Sequence, residues 1–224
     1  MCFGINVKER KLEMKTLIKA ILAGMAICIG GTVYLTLDNH MVGALLFSIG
    51  LFTIYTFDLD LFTGKICFIP NKHWSFLRTV GIVYIGNLIG TVGVGYILRY
   101  TKLVKLVPHT EEMVTAKLSD TLFSTFIMAV FCGVLMCIAV IGFKTIKDGF
   151  GKYLALMLPV TVFILNGYEH SVADMFYISL ANAWNVKAII FLLIVSIGNI
   201  VGGIVLPLAS RILDGKKLGL DEEH

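Results

Sequence analysis

The chain has 224 residues, of which 57% are hydrophobic and only 15% charged, and its mean hydropathy is +0.86. So few charges cannot cover a water-soluble globule of this size, which excludes a soluble enzyme or binding domain and points to an all-α polytopic membrane protein. The net charge of +4 carries no nucleic-acid signal, because basic residues near helix ends serve instead to set membrane orientation.

Residues 1–15 are polar, mixed in charge and mildly amphipathic, unlike a secretory signal with its short apolar core and small-residue cleavage site. The first apolar run, 16–37, is long enough to span a bilayer and reads as uncleaved. Hydropathy places further spans at 41–64, 76–98, 118–143, 152–182 and 187–213. Polar and ionisable residues interrupt two of them. Asp58-Leu-Asp-Leu-Phe-Thr-Gly-Lys65 breaks the second, and Asn166-Gly-Tyr-Glu-His-Ser-Val-Ala-Asp174 breaks the fifth. Hydrocarbon does not tolerate lipid-exposed broken backbone, so these segments line a cavity or pack inside protein. With connections alternating sides, one side holds Arg99, Lys102, Lys105, Lys117 and Lys187, and the other holds the remaining fourteen of the nineteen Lys and Arg residues. That bias predicts both termini in the cytoplasm, which requires an even number of spans and agrees with six.

The halves resemble each other. Ile85-Gly-Asn-Leu-Ile-Gly90 recurs as Ile197-Gly-Asn-Ile-Val-Gly202, and Gly24-Met-Ala-Ile-Cys-Ile29 is echoed by Gly133-Val-Leu-Met-Cys-Ile138. The breaks fall in corresponding spans. Three spans per half turn the second half over, giving an inverted repeat of about 16–98 and 118–213, whose binding site is expected between the halves near the midplane. Gly86, Gly90, Gly93, Gly198, Gly202 and Gly203 are suited to close helix approach. Asn87 and Asn199 need partners inside the protein, for which the freed backbone of the breaks is the natural source.

His170 is the main candidate for chemistry. It sits mid-span beside Gly167, where a neutral imidazole is tolerable and can donate to an anion or pass a proton. Thr63 occupies the other break, where its hydroxyl can meet a permeating ion or His170. Lys117 begins span four, where a lysine either snorkels to water or raises anion occupancy by its field. Phe47, Leu51, Leu61, Phe62 and Phe163 lie on or near the broken elements, as core packing or as constrictions that force dehydration. Glu169 reads as structural, accepting backbone donors at the break. The five cysteines form no CxxC pair and read as buried thiols rather than a disulfide framework or a metal site.

Phe47-Ser-Ile-Gly-Leu51, Asp60-Leu-Phe-Thr-Gly64, Gly86-Asn-Leu-Ile-Gly90, Gly167-Tyr-Glu-His-Ser-Val-Ala173 and Gly198-Asn-Ile-Val-Gly-Gly203 together resemble the formate/nitrite transporter family along essentially the whole chain. The resemblance implies an aquaporin-like six-helix protomer, 1–224 as one channel domain, assembled as a homopentamer with a pore in each protomer. It implies small monovalent anions or their conjugate acids as substrates: formate, nitrite, hydrosulfide, and in some members acetate or lactate. By position, His170 looks like the family's central histidine, Thr63 its neighbouring threonine and Lys117 the lysine that draws anions inward. Phe47 and Phe163 fit the outer constriction, and Leu51, Leu61, Phe62 and Met136 the inner one. The family usually has asparagine where this chain has Asp174 and Gly133. Asp174 lies one helical turn from His170, where its carboxylate would favour the imidazolium and also oppose an anion; Gly133, with Met136, would widen the inner constriction.

The sequence thus predicts a channel or proton-linked facilitator for a small monovalent anion, without enzyme activity or cofactor, in a prokaryotic cytoplasmic membrane. Asp174 motivates an ammonium-conducting alternative, and the His170–Asp174 spacing a remote one, an intramembrane metal hydrolase that lacks further ligands.

Overall fold

A computed structural model describes residues 7–215, which form α-helices and short 3₁₀ turns, with no β-strand among the described residues. Among the described residues four helices are long and apolar enough to cross a membrane: α1 (Val7–Thr36), α5 (Phe76–Leu98), α7 (Leu122–Thr145) and α10 (Val186–Asp214). At 1.5 Å per residue, the 23 residues of α5 reach about 35 Å, enough for a hydrocarbon core of about 30 Å. α5 has the predicted limits. α1 starts well before residue 16, because the polar, mixed-charge stretch ahead of the apolar run continues the same helix.

The two interrupted spans are each built from separate pieces. α2 (His40–Phe47) and α3 (Ile49–Thr56) follow each other across Ser48. After the irregular stretch 57–61 comes α4 (Phe62–Lys65), which tightens into a 3₁₀ turn over Ile66–Asn71. Helical structure therefore passes the predicted end at residue 64 and takes up most of the expected loop. In the second half, α8 (Gly149–Leu165) ends at the stretch 166–170, and α9 (Ser171–Leu180) follows. One boundary is corrected more substantially. A separate helix, α6 (Val107–Ser119), precedes the fourth span, and α7 starts only after Thr121, whose hydroxyl oxygen accepts from the Ser124 N–H at 3.2 Å. Lys117 lies in the last turn of α6 and does not begin the fourth span, because the Asp120–Thr121 cap, invisible to hydropathy, separates the two helices.

Helices α1 and α5 pack along each other, as do α7 and α10. Glycine permits both contacts. A Cβ on Gly90 would lie 2.2 Å from the Ile21 carbonyl oxygen, and one on Gly202 only 1.9 Å from that of Val130. Gly86 and Gly198 repeat the pattern, with an added Cβ at 2.5 Å from Ala20 Cβ and 2.6 Å from Ala129 Cβ. Gly93 has no neighbour within 4 Å of such a Cβ, so it serves no helix contact among the described residues of the protomer. Gly133 is also reassigned. Its added Cβ would lie 2.3 Å from the Asn199 carbonyl oxygen, so it serves the α7–α10 contact, and no larger side chain fits there to shape a constriction.

The breaks have one geometry, displaced by 109 residues. Asp58 (φ 48°) and Gly167 (φ 64°) both turn left-handed after a helix, a conformation open to Gly and tolerated by Asp. Leu59 N–H then donates back to the Ile54 carbonyl at 2.8 Å, and Tyr168 N–H to that of Phe163 at 2.9 Å, closing each helix end. Buried asparagines secure the chain beyond each turn. Asn87 Oδ1 accepts from Phe62 N–H at 2.8 Å, while its Nδ2 donates to the Ala20 and Asp60 carbonyls at 2.7 and 3.0 Å. Asn199 Oδ1 accepts from Ser171 N–H at 3.0 Å, and its Nδ2 donates to the Ala129 and Glu169 carbonyls at 2.9 and 2.8 Å. Each asparagine ties its break to the neighbouring long helix.

Candidate functional site

The breaks meet. Thr63, in the first turn of α4, and His170, immediately before α9, are both buried, with Thr63 Oγ1 2.8 Å from His170 Nε2. His170 also caps α9, since its Nδ1 accepts from Ala173 N–H at 3.1 Å. A nitrogen that accepts that bond carries no proton, so the neutral ring holds its proton on Nε2 and presents it to Thr63. Phe163 lies flat against the imidazole, ring centres 5.4 Å apart, and Phe47 meets Phe163 edge-on at 6.0 Å. Phe47 from the first half and Phe163 from the second thus form an apolar lid over the imidazole.

A cavity opens at each break. One, of about 260 Å³, is lined by Phe163, Gly167, Tyr168, His170, Asp174 and Tyr177, with Lys117 and Glu169. The other, of about 90 Å³, is lined by Ile54, Asp58, Leu59, Leu61, Lys65 and Phe68, with Lys144. The first six residues of each set correspond one to one at an offset of 109. The cavities are therefore repeat-related vestibules. His170 in one takes the place of Leu61 in the other.

Lys117 reaches from α6 to the second break, where its Nζ donates to Glu169 Oε2 and lies 3.1 Å from Asp174 Oδ1. The one-turn spacing predicts that Asp174 acts on His170; its ion pair is instead with Lys117. Glu169, expected to accept backbone donors, also turns its carboxylate to Lys117. The second carboxylate oxygen of Asp174, Ser171 Oγ and Tyr177 OH, all on α9, are buried without a hydrogen-bond partner among the described residues. In the first half the acidic residue of the break finds a cation as well, with Asp60 Oδ1 2.7 Å from Lys65 Nζ.

The remaining candidates join the same buried core. Leu51, Leu61, Phe62 and Met136 are all buried there. Phe62 turns its ring edge-on to Tyr84 of α5, centres 4.8 Å apart, and Tyr84 OH is 3.0 Å from Ser196 Oγ of α10. Asn199 acts on the backbone of the break and has no contact with the imidazole in these bonds. Cys28, Cys67, Cys132 and Cys137 are free and buried, while Cys2 lies outside the described residues. Sequence reading missed Lys65, Lys144, Ser171 and Tyr177. Lys65 could have been found by carrying the offset of 109 from Gly24 and Gly133 through the break, which aligns it with Asp174.

The sequence profile described as Formate/nitrite transporter matches residues 5–212. A "Formate-nitrite transporter" of Plasmodium falciparum is 28% identical over 90% of this chain and 78% of its own length. The "Formate channel FocA" of Escherichia coli (strain K12) is 30% identical over 76% of this chain and 67% of its own. Among solved structures, a "Pentameric formate channel with formate bound" superposes with a TM-score of 0.81 at 25% identity, covering 92% of this chain and 99% of that one. A second, an "FNT family ion channel", shares the fold with a TM-score of 0.74 at 24% identity over 86% of this chain and 87% of that one. A family profile spanning nearly every described residue, together with apolar helices interrupted at repeat-related sites, makes this chain a multi-pass membrane protein of the formate/nitrite transporter family.

Proposed function

We propose that the chain is a channel or proton-linked facilitator for small monovalent anions of the formate, nitrite or hydrosulfide class. The observation that carries this reading is the Thr63–His170 contact between two vestibules, closed over by Phe47 and Phe163. Charged groups that could hold a hydrated ion are absent from the contact itself, which offers a hydroxyl and one imidazole N–H within apolar walls. An anion small enough to shed its water there exchanges solvent donors for these two. On this reading Leu51, Leu61 and Met136, which are buried in the same apolar core, form the constriction on the first-break side. The likeness to a pentameric formate channel supports a homopentamer with a pore in each protomer.

On this reading the four long helices and the two interrupted rods make six crossings of the cytoplasmic membrane. The excess of Lys and Arg around residues 7–15, 65–78 and 144–152 puts the first-break vestibule and both termini on the cytoplasmic side. The test is initial-rate uptake of formate, nitrite, hydrosulfide and chloride into proteoliposomes containing the purified protein. Flux of at least one of the first three well above protein-free vesicles is expected, and none for any of the four overturns the reading. Asp174 with its free oxygen favours a second reading, ammonium conduction, which predicts flux in an ammonium gradient that Asp174→Asn removes.

A further inference from the structure

The two vestibules share one architecture and have opposite charge. Lys65 and Asp174 occupy equivalent positions, 109 residues apart, each five residues after the acidic residue of its break, Asp60 or Glu169. At the second break, one ammonium, Lys117, faces two carboxyl groups, Glu169 and Asp174. At the first break, Lys65 pairs with Asp60 and Lys19 with Asp58, which leaves Lys144 in excess. Lys144 Nζ stands 4.8 Å over the Phe68 ring, within the cavity lining, and has no carboxylate partner among the described residues. The first-break mouth therefore holds one more cation than anion, and the second-break mouth one more carboxyl group than cation. Were Asp174 to hold a proton, the second mouth would be neutral and the sense of the difference unchanged.

We infer that the first-break vestibule, through Lys144 and Lys65, is the anion-loading end of the pore, and that Asp174 keeps the opposite mouth poor in anions. The inference rests on the anion reading above. It concerns loading and not net direction, because a passive path must conduct equally from either side at low concentration and zero potential. An asymmetric field changes how readily each mouth fills. An anion approaching the first-break mouth meets a pore that fills at lower concentration and empties more slowly toward the far side. One unit charge about 8 Å away in a water-like medium alters local anion concentration about twofold, so the opposed mouths differ about fivefold.

The test measures initial uptake of radiolabelled formate into right-side-out and inside-out membrane vesicles at zero potential, over a range of concentrations. The half-saturating concentration is expected to be about two- to fivefold lower when formate approaches the first-break face, with the maximal rate lower in the same proportion. Asp174→Asn should bring the two half-saturating concentrations together by about twofold, by filling the second mouth more readily. Lys144→Gln, at the end of α7 away from the core, should narrow the gap from the other side, and high ionic strength should close it in the unmodified protein. Equal half-saturating concentrations, or a difference untouched by both substitutions, overturns this inference while leaving the anion reading in place. Absence of formate uptake in both vesicle types, with nitrite also excluded, overturns both.

Discussion

Thr63 Oγ1 lies 2.8 Å from His170 Nε2, joining residues 107 positions apart in sequence and on opposite halves of the chain. With His170 Nδ1 already accepting from the Ala173 backbone, the Nε2 proton is the one available to a second acceptor. On the proposed reading, a passing anion takes the place of Thr63 as that acceptor and accepts a hydrogen bond from the threonine hydroxyl as well. Thr63→Val keeps the volume and removes the donor. A hydrogen bond to a charged group contributes about 1.5–3 kcal/mol, so formate flux should fall roughly ten- to a hundredfold. Thr63→Ser should stay within about threefold of the unmodified rate. Stopped-flow uptake into proteoliposomes measures both, and equal rates in the Val and Ser variants would remove Thr63 from the path.

Asn87 and Asn199 hold the two breaks with the same three bonds apiece. Replacing either with alanine strands one N–H and one carbonyl of the break in the interior, while the helix carbonyl it also reached, that of Ala20 or Ala129, keeps its bond within the helix. Each group so stranded costs about 1–3 kcal/mol, which is enough to lower the thermal midpoint in detergent by several degrees. Because the bonds match, the two variants should lose comparable stability; a large fall in one and none in the other would contradict the repeat.

Glycine substitutions separate contact positions from bystanders. Gly90→Ala and Gly202→Ala drive a methyl group into the backbone of the facing helix, at 2.2 and 1.9 Å from a carbonyl oxygen. Both should fail to yield folded protein or show a sharply lowered midpoint. Gly93→Ala enters open space and improves helix propensity by about 0.8–1 kcal/mol, so its midpoint should hold or rise. Thermal unfolding of the purified variants in detergent checks the contrast.

Lys117 is shared by Glu169 and Asp174. Removing a buried partner costs about 3–5 kcal/mol by leaving uncompensated charge. Lys117→Met should therefore be markedly less stable than the unmodified chain. Adding Asp174→Asn to it should recover part of the loss, since one of the two stranded carboxyl groups is gone. A double-mutant cycle on unfolding midpoints reads the coupling, and strict additivity would mean that Lys117 and Asp174 do not act together.

Much of this arrangement was legible in the amino-acid sequence because hydrocarbon restricts what a chain can do. Hydropathy located the four long apolar helices, and α5 has its predicted limits. Polar residues inside apolar runs marked both breaks, and Asn87 and Asn199 bind the freed backbone there. Capping geometry was hidden. Thr121 separates α6 from α7, and a hydropathy window passes over it. Side-chain direction was hidden too. The spacing of His170 and Asp174 suggested that they act on each other, whereas α6, whose path the sequence does not reveal, brings Lys117 to Asp174 instead. Gly133 illustrates the limit of position matching. Its place in the family pattern suggested an opening in the constriction, and its neighbours are the backbones of α10.

The central claim is that a small anion crosses at the Thr63–His170 contact, and formate uptake into proteoliposomes carrying the unmodified protein or His170→Asn tests it most directly. The unmodified protein should take up formate at least tenfold faster than empty vesicles, and the variant should lose most of that rate while remaining folded and assembled. Uptake no faster than in empty vesicles, or equal uptake by a folded His170→Asn variant, would contradict it.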